Sequence, residues 1–413
     1  MKTVAVIGKN FGDEGKGLAC AALSLSSKKT LVIRHNGGGQ AGHTVEDETG
    51  RHFIHHQIGS GAEYGADTLL ADTFLTDLFQ LDKELKEFAD IFGFTPKIYA
   101  EKNTKITIID DVLRNMFIET ARGDMRHGSC GMGINECVNR QKQGLSLSVK
   151  EVRDKSYAQI LSILKDYRIK YGQKNIEAIK EDFEKNNPGK KAEYYDMLKD
   201  ESILENFAAL IKETVKKISI VDADADFLSG YDRIIFENAQ GLLLDNDYNI
   251  YAPYLTPSKT GLHNIAAFLE KRNLKLDEVI YVTRSYVTRH GNGPLPCECN
   301  VAFIPGICKD MTNVYNEWQG SIRYAKHESM EKFVGQISYD IKSVDSFEAI
   351  KDMSVSILIT HLNETDDKVI FEKGDISFDR ISDELNEKYG FSNIYASHGK
   401  TPKELYQHLI KNL

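Results

Sequence analysis

The chain has 413 residues, 41% hydrophobic and 27% charged, with 8 prolines, enough to bury a large core as one big α/β domain or two smaller ones. Its formal net charge of −9 excludes a nucleic-acid polymer as partner but not a nucleotide, which needs only a local positive pocket. No window of eighteen apolar residues occurs and the chain begins directly on an apolar strand-like run, so neither a membrane span nor a signal peptide is expected.

In chain order, residues 3–7 form an apolar run that reads as a buried strand, and 18–25 read as the start of a small-residue helix. Between them lies Gly8-Lys-Asn-Phe-Gly-Asp-Glu-Gly-Lys-Gly17. Strand, glycine loop and helix together point backbone N–H groups and a helix N-terminus at a phosphate. The spacing departs from the common P-loop, because Gly15-Lys16-Gly17 lacks both the earlier glycine and the Ser/Thr after the lysine. Asp13 and Glu14 would repel a phosphate unless a divalent cation or a proton-transfer role occupies one of them. The loop is therefore expected to do chemistry as well as binding.

Further strand-like runs follow at 30–33, 68–70, 97–100 and 107–109, alternating with amphipathic stretches as βα units of a parallel sheet do. A second glycine cluster, Asn36-Gly-Gly-Gly-Gln-Ala-Gly-His-Thr44, comes directly after the run 30–33. Two glycine loops on adjacent strand ends would lie side by side at the carboxyl edge of the sheet, with His43 near Asp13. An acid/base pair beside a phosphate cradle suits phosphoryl transfer coupled to proton movement.

From about 145 to 220 the pattern turns to Lys- and Glu-rich helical periodicity, broken once at Asn187-Pro-Gly189, and reads as a helical insertion outside the sheet. Strands return at 233–236, 278–283 and 354–360. The expected fold is one α/β domain over 1–413. It has a large, mostly parallel central sheet flanked by helices, a P-loop-like nucleotide-binding core and the insertion at about 145–220. The six cysteines follow no disulfide spacing; Cys297, Cys299 and Cys308 lack a fourth ligand at zinc-like spacing, so a reduced, cytoplasmic chain is expected. Adjacent histidines on one strand point to opposite faces, which argues against His55-His56 as a metal pair.

Gly12-Asp-Glu-Gly-Lys-Gly17 and Ala41-Gly-His-Thr44 resemble the signature loops of adenylosuccinate synthetase. Three further segments fall in the same order: Glu237-Asn-Ala-Gln-Gly-Leu-Leu-Leu-Asp245, Pro253-Tyr-Leu-Thr256 and Thr288-Arg-His-Gly-Asn-Gly-Pro-Leu-Pro296. The resemblance implies a purine-nucleotide C–N ligase that joins L-aspartate to C6 of IMP, driven by GTP with Mg²⁺, in a homodimer. It casts Asp13 as the base at N1 and a Mg²⁺ ligand, with the Gly42 carbonyl as a second ligand. His43 would stabilise the transferred phosphoryl, and Lys16 would hold donor phosphates. The donor nucleotide would meet Gly12, Glu14, Gly15, Lys16, Gly17, Gly42, His43 and Thr44. The purine nucleotide would meet Asp13, Gln40, Gln240 and Thr256, with Ser129 and Cys130 in the loop around its phosphate. His56 would lie in the active-site region. An arginine crossing from a neighbouring subunit would be Arg140, with Lys142 nearby.

The departures fall in the substrate pockets. Where the family has a run of four arginines for aspartate, this chain has Asn316-Glu-Trp-Gln-Gly-Ser-Ile-Arg-Tyr-Ala325, leaving Ser321 and Arg323 as the amino-acid contacts, with Trp318 as readily a packing residue. The family's guanine-reading Thr-Lys-Leu-Asp is Thr360-His-Leu-Asn363 here. A neutral amide at Asn363 complements adenine, which makes ATP a credible donor beside GTP; Glu364 would restore the carboxylate if the turn shifted by one residue. His361, Ser397 and Gly399 complete that subsite, and His127 and His290 lie beside predicted pocket loops. Two other readings stand beside the IMP ligase. One is a phage-type relative that acts on dGMP, which retention of Asp13 disfavours. The other is a catalytically silent nucleotide-binding protein, which the presence of Asp13, Lys16 and His43 disfavours.

Overall fold

The structure is a computed structural model that describes residues 1–25, 28–126, 128–307, 315 and 320–409. Its centre is a nine-stranded sheet in which every ladder is parallel. From edge to edge the strands are Asn393–Ala396, Ser354–Thr360, Glu278–Arg284, Lys2–Gly8, Arg233–Gly241, Thr30–Arg34, Asp67–Leu70, Ile98–Glu101 and Ile218–Val221. Parallel strands are covered on both faces, and the sequence obeys this: from Thr3 to Gly8 every residue of the first strand is buried. Val4 and Val6 face Leu18, Leu23 and Leu405 on one side, while Ala5 and Ile7 face Leu262, Ile265 and Phe333 on the other.

The strand order corrects one expectation. The two glycine loops do not sit on adjacent strands, because Arg233–Gly241 returns late in the chain and inserts between Lys2–Gly8 and Thr30–Arg34. Its register sets Glu237 beside Val6 on one flank and Arg34 on the other. The inserted strand makes this the point where the direction of chain winding reverses, the place where open α/β sheets bind ligands.

Two local readings also change. Residues 107–109 are not a strand. Ile109 begins the helix Ile109–Ala121, where the Asp111 carboxylate accepts the Ile108 N–H at 3.0 Å and Asp110 joins it in the first turn. Between 149 and 214 the chain forms five α-helices and a π-helical segment at Arg168–Gly172, with Asn187-Pro-Gly189 separating Ile176–Asn186 from Glu193–Lys199 as the turn residues require. Val149–Asp154, Tyr157–Tyr167 and Glu201–Thr214 meet Leu81, Leu85 and Phe88 in a second core, while Ile176–Asn186 and Glu193–Lys199 pack on Leu113 and Phe117. The end of this stretch, Ile218–Val221, joins the sheet as its last strand instead of staying outside it.

Candidate active site

The first loop is built around its own charges. Gly12 has φ 108, and a Cβ there would lie 2.8 Å from the Gln240 Cα, so only glycine lets the loop touch the inserted strand. Gly15, at φ 98, turns the chain into the helix Lys16–Ser24. The Glu14 carboxylate points inward and accepts the Asn10 N–H at 3.0 Å and the Gly12 N–H at 2.8 Å. Lys16 donates to the Gly12 carbonyl at 2.6 Å and stands 3.7 Å from Glu14. Both side chains are buried; burial pushes Glu14 up against the pull of Lys16 and pushes Lys16 down against the pull of Glu14. The loop is thus closed by an internal ion pair, with the Glu14 carboxylate turned inward.

Asp13 sits at the crest of that loop with its side chain 32% exposed. Arg284, at the end of the neighbouring strand, donates to its Oδ2 at 3.0 Å and to its main-chain carbonyl at 2.6 Å. The His290 Nε2 lies 3.7 Å from the same carboxylate. Sequence reasoning missed Arg284. The available signal was a charged residue closing an otherwise buried strand beside the central one.

His43 opens the strand His43–Glu46, and the first turn of the helix packs on it, since a Cβ on Gly17 would lie 2.8 Å from the His43 Cβ. Its Nδ1 is 2.6 Å from Glu237 Oε1. Ser60 donates to Glu237 through Oγ at 2.5 Å and through N–H at 2.9 Å, and Arg34 pairs with Oε2 at 3.1 Å. Burial alone would raise the Glu237 carboxyl, but Arg34 and His43 outweigh it and hold it well below the usual carboxylate range. Glu237 is therefore ionised and can only accept, which assigns the proton to His43 Nδ1 and leaves Nε2 on the opposite edge of the ring. Burial pushes the imidazole down to about 4 against the upward pull of Glu237. The motif 237–245 was legible in the sequence; the role of Glu237 within it was not.

The second loop is stitched to the inserted strand by Asn36, whose amide donates to the Ala239 carbonyl at 3.0 Å and accepts the Ala239 N–H at 2.8 Å. Beside it, both amide atoms of Gln40 and the Gln240 side-chain oxygen are buried without a hydrogen-bond partner. Gln240 is held at φ 64, in the left-handed region. Unsatisfied buried amides at the meeting of two loops are what a ligand edge would complete. Gly42 is exposed, Thr44 half-buried, and the His56 ring bonds the Ala41 carbonyl at 2.8 Å.

The remaining predicted residues divide. Thr360 Oγ1 donates to the Glu14 carbonyl at 2.9 Å, which brings the turn carrying His361 and Asn363 against the first loop. The Leu362 N–H reaches the Ser397 carbonyl, and Ser397 Oγ donates to the Gly399 carbonyl at 3.1 Å, so both halves of that subsite meet. Asn363 is exposed, whereas Glu364 is buried with Oε2 accepting the Tyr286 hydroxyl at 2.5 Å, so it does not stand in for the missing aspartate. Gly128 packs on Asn292, which places Ser129 and Cys130 beside the run that begins at Thr288. Thr256 is buried, its N–H on the Leu244 carbonyl.

Arg140 is a correction. It is fully buried, bonds Asp111 twice at 2.8 Å and also donates to the Ile106 and Leu145 carbonyls, so it cannot reach a nucleotide or cross to another subunit. Arg323 is paired with Glu298 at 3.0 and 3.1 Å and donates to the Gly291 and Gly293 carbonyls, which occupies the fork expected for an amino-acid carboxylate; Ser321 beside it is exposed. Cys308, Trp318 and His127 lie outside the described residues.

The sequence model of the adenylosuccinate synthetase family matches residues 5–329. The adenylosuccinate synthetase of Exiguobacterium sibiricum is 28% identical over 305 residues, 72% of this chain and 65% of the relative. That of Thermosipho africanus is 30% identical over 307 residues, 72% of this chain and 67% of the relative. The chain thus spans about two thirds of the length of the curated relatives it matches. In fold it is similar to the fully ligated adenylosuccinate synthetase of Plasmodium falciparum, with a TM-score of 0.67 at 19% identity, covering 98% of this chain and 99% of that one. It is also similar to the succinoaminodeoxyadenylate synthetase PurZ of cyanophage S-2L, solved with dGMP and with dATP as energy donor. There the TM-score is 0.61 at 15% identity, covering 99% of this chain and 97% of that one. With its family model matched from residue 5 to residue 329, the chain belongs to the adenylosuccinate synthetase family.

Proposed function

We propose that the chain is a purine-nucleotide C–N ligase that converts IMP, L-aspartate and a nucleoside triphosphate to adenylosuccinate, the nucleoside diphosphate and phosphate, with ATP favoured over GTP. The observation that carries the reading is the pair of loops against one inserted strand: Asp13 held by Arg284 on one, His43 held by Glu237 on the other. The purine 6-oxygen is a poor leaving group. Asp13 takes the proton from N1 as the terminal phosphoryl moves to that oxygen, His43 faces the transferred group across Nε2, and the amine then displaces phosphate at C6. Gln40 and Gln240 offer unsatisfied amides to the purine. Lys16 is a point charge for donor phosphates, which would compete with the Gly12 carbonyl for its ammonium.

Mg²⁺ fits this donor set, because the half-buried Asp13 carboxylate and the main-chain carbonyl of exposed Gly42 suffice when phosphates supply the other oxygens. Bound there it would neutralise charge on the transferred group. Ser129 and Cys130 serve the nucleotide phosphate. In a homodimer, exposed Lys142 would serve that phosphate from the neighbouring subunit in place of buried Arg140. The exposed Asn363 amide supports adenine as the donor base.

The test is phosphate release with IMP or dGMP, ATP or GTP, and a panel of amino acids with Mg²⁺. Turnover with IMP and aspartate supports the reading. Turnover with dGMP alone replaces the purine substrate, and phosphate release that needs no amino acid refutes a ligase.

A further inference from the structure

The donor-base turn carries an amide and a carboxylate on consecutive residues, and only one of them faces outward. His361 at φ 62 swings the chain out of the strand Ser354–Thr360 into the single 3₁₀ turn Leu362–Glu364, in which neighbouring side chains point about 120° apart. Asn363 is exposed and Glu364 is buried. Tyr286, itself buried, helps to hold the carboxylate inside, its hydroxyl donating to Glu364 Oε2 at 2.5 Å. The same hydroxyl oxygen accepts from Arg284 Nη1 at 3.1 Å, which fixes the direction of its proton toward Glu364. Two further bonds pin the turn: Ser285 Oγ donates to the His361 carbonyl at 3.0 Å, and the Gly306 N–H donates to the Glu364 carbonyl at 2.8 Å.

We propose that Tyr286 determines donor-base specificity by sequestering the Glu364 carboxylate, so that the Asn363 amide alone meets the base. This rests on the reading of the turn as the donor-base subsite. A guanine edge presents two adjacent N–H donors and calls for a carboxylate, whereas an adenine edge presents one donor and one acceptor and is matched by an amide. Burial pushes the Tyr286 phenol up, so it stays a donor at every working pH. Replacing it by phenylalanine leaves a buried carboxylate without its hydroxyl, a state disfavoured enough to drive Glu364 outward beside Asn363.

The experiment compares kcat/KM, and Kd by calorimetry, for ATP and GTP in the wild type and four variants. Tyr286→Phe is expected to move the GTP/ATP ratio toward GTP by about tenfold. The double variant Tyr286→Phe with Glu364→Gln is expected to lose that swing, and Glu364→Gln alone to leave the ratio within about twofold. Any weaker hold on Asp13 through Arg284 slows both donors alike and cancels in the ratio. No swing in Tyr286→Phe, or a swing that survives in the double variant, overturns the proposal. Should Tyr286→Phe fail to fold, Glu364→Gln decides, since a several-fold loss of GTP relative to ATP would mean that Glu364 already reads the base. Asn363→Asp separates the levels. A swing there with none in Tyr286→Phe overturns the latch alone, and no swing in either overturns the base-turn reading.

Discussion

Glu237 accepts the His43 Nδ1–H at 2.6 Å although the two residues lie 194 positions apart, and the strand that carries Glu237 is the one inserted between the two glycine-loop strands. The imidazole is thereby held in one tautomer by a carboxylate that is itself tied to Arg34 and Ser60. Glu237→Gln should lower kcat by roughly 10–100-fold with little change in KM, because ring orientation matters most when charge develops. Steady-state kinetics on the folded variant check this.

The same carboxylate predicts an acid limb in stability. Its folded-state value lies below the ordinary 4.5, so its contribution is present above about pH 4.5 and is lost as pH falls through the folded value. Glu237→Gln should flatten that acid slope in urea titrations below about pH 4.5. It should also cost about 3–5 kcal/mol near neutrality, because Arg34 is left buried without its partner. An unchanged slope would show that Glu237 is not held low.

Asp13→Ala should abolish turnover while nucleotide binding by calorimetry survives, since the loop closes on Glu14 and Lys16 without it. Arg284→Gln should reduce kcat about 10-fold or more, because Arg284 orients Asp13. Equal activity in either variant would remove that residue from the chemistry.

The two glycine loops, the central strands and the positions of Asp13 and His43 on those loops were legible because each is a local pattern: an apolar run, glycines at turns, a helix start. The strand order was not, since nothing in 30–44 announces that a strand about 200 residues later will lie beside it. Arg284 and the role of Glu237 were hidden for the same reason, their partners being 271 and 194 positions away. Arg140 misleads because position near a loop says nothing about direction. Its side chain turns inward to Asp111, on the first turn of a helix whose start has the apolar look of a strand. The short edge strands Ile218–Val221 and Asn393–Ala396 carry too few residues for a period-two signal to stand out.

Asp340 supplies a pH dependence of opposite sign. It is buried, accepts the Tyr281 hydroxyl at 2.8 Å and the Leu262 N–H at 3.1 Å, and burial pushes its carboxyl up to about 6 from 3.8. The fold therefore binds the proton more tightly than the unfolded chain does. Stability from this group falls by roughly 1.4 kcal/mol per pH unit as pH rises from about 4 to 6, and is flat beyond. Asp340→Asn should remove that decline, so the variant gains on the wild type as pH rises through this window; parallel urea midpoints at about pH 4 and 7 measure it.

Arg140 and Asp111 make a buried bidentate pair, and removing one member leaves the other charge unpaired. Arg140→Ala should cost about 3–5 kcal/mol, and Asp111→Ala a similar amount, with the double variant less destabilised than the sum because the second change removes the stranded charge. The decisive measurement is nucleotide affinity. If Arg140 is structural, IMP binds the folded fraction of Arg140→Lys with wild-type affinity, whereas an arginine lent to a neighbouring subunit would weaken it at least about tenfold. Mixing Arg140→Lys with a subunit inactivated at Asp13 adds a second readout, since a trans-acting arginine alone would let the mixture recover activity that neither parent has.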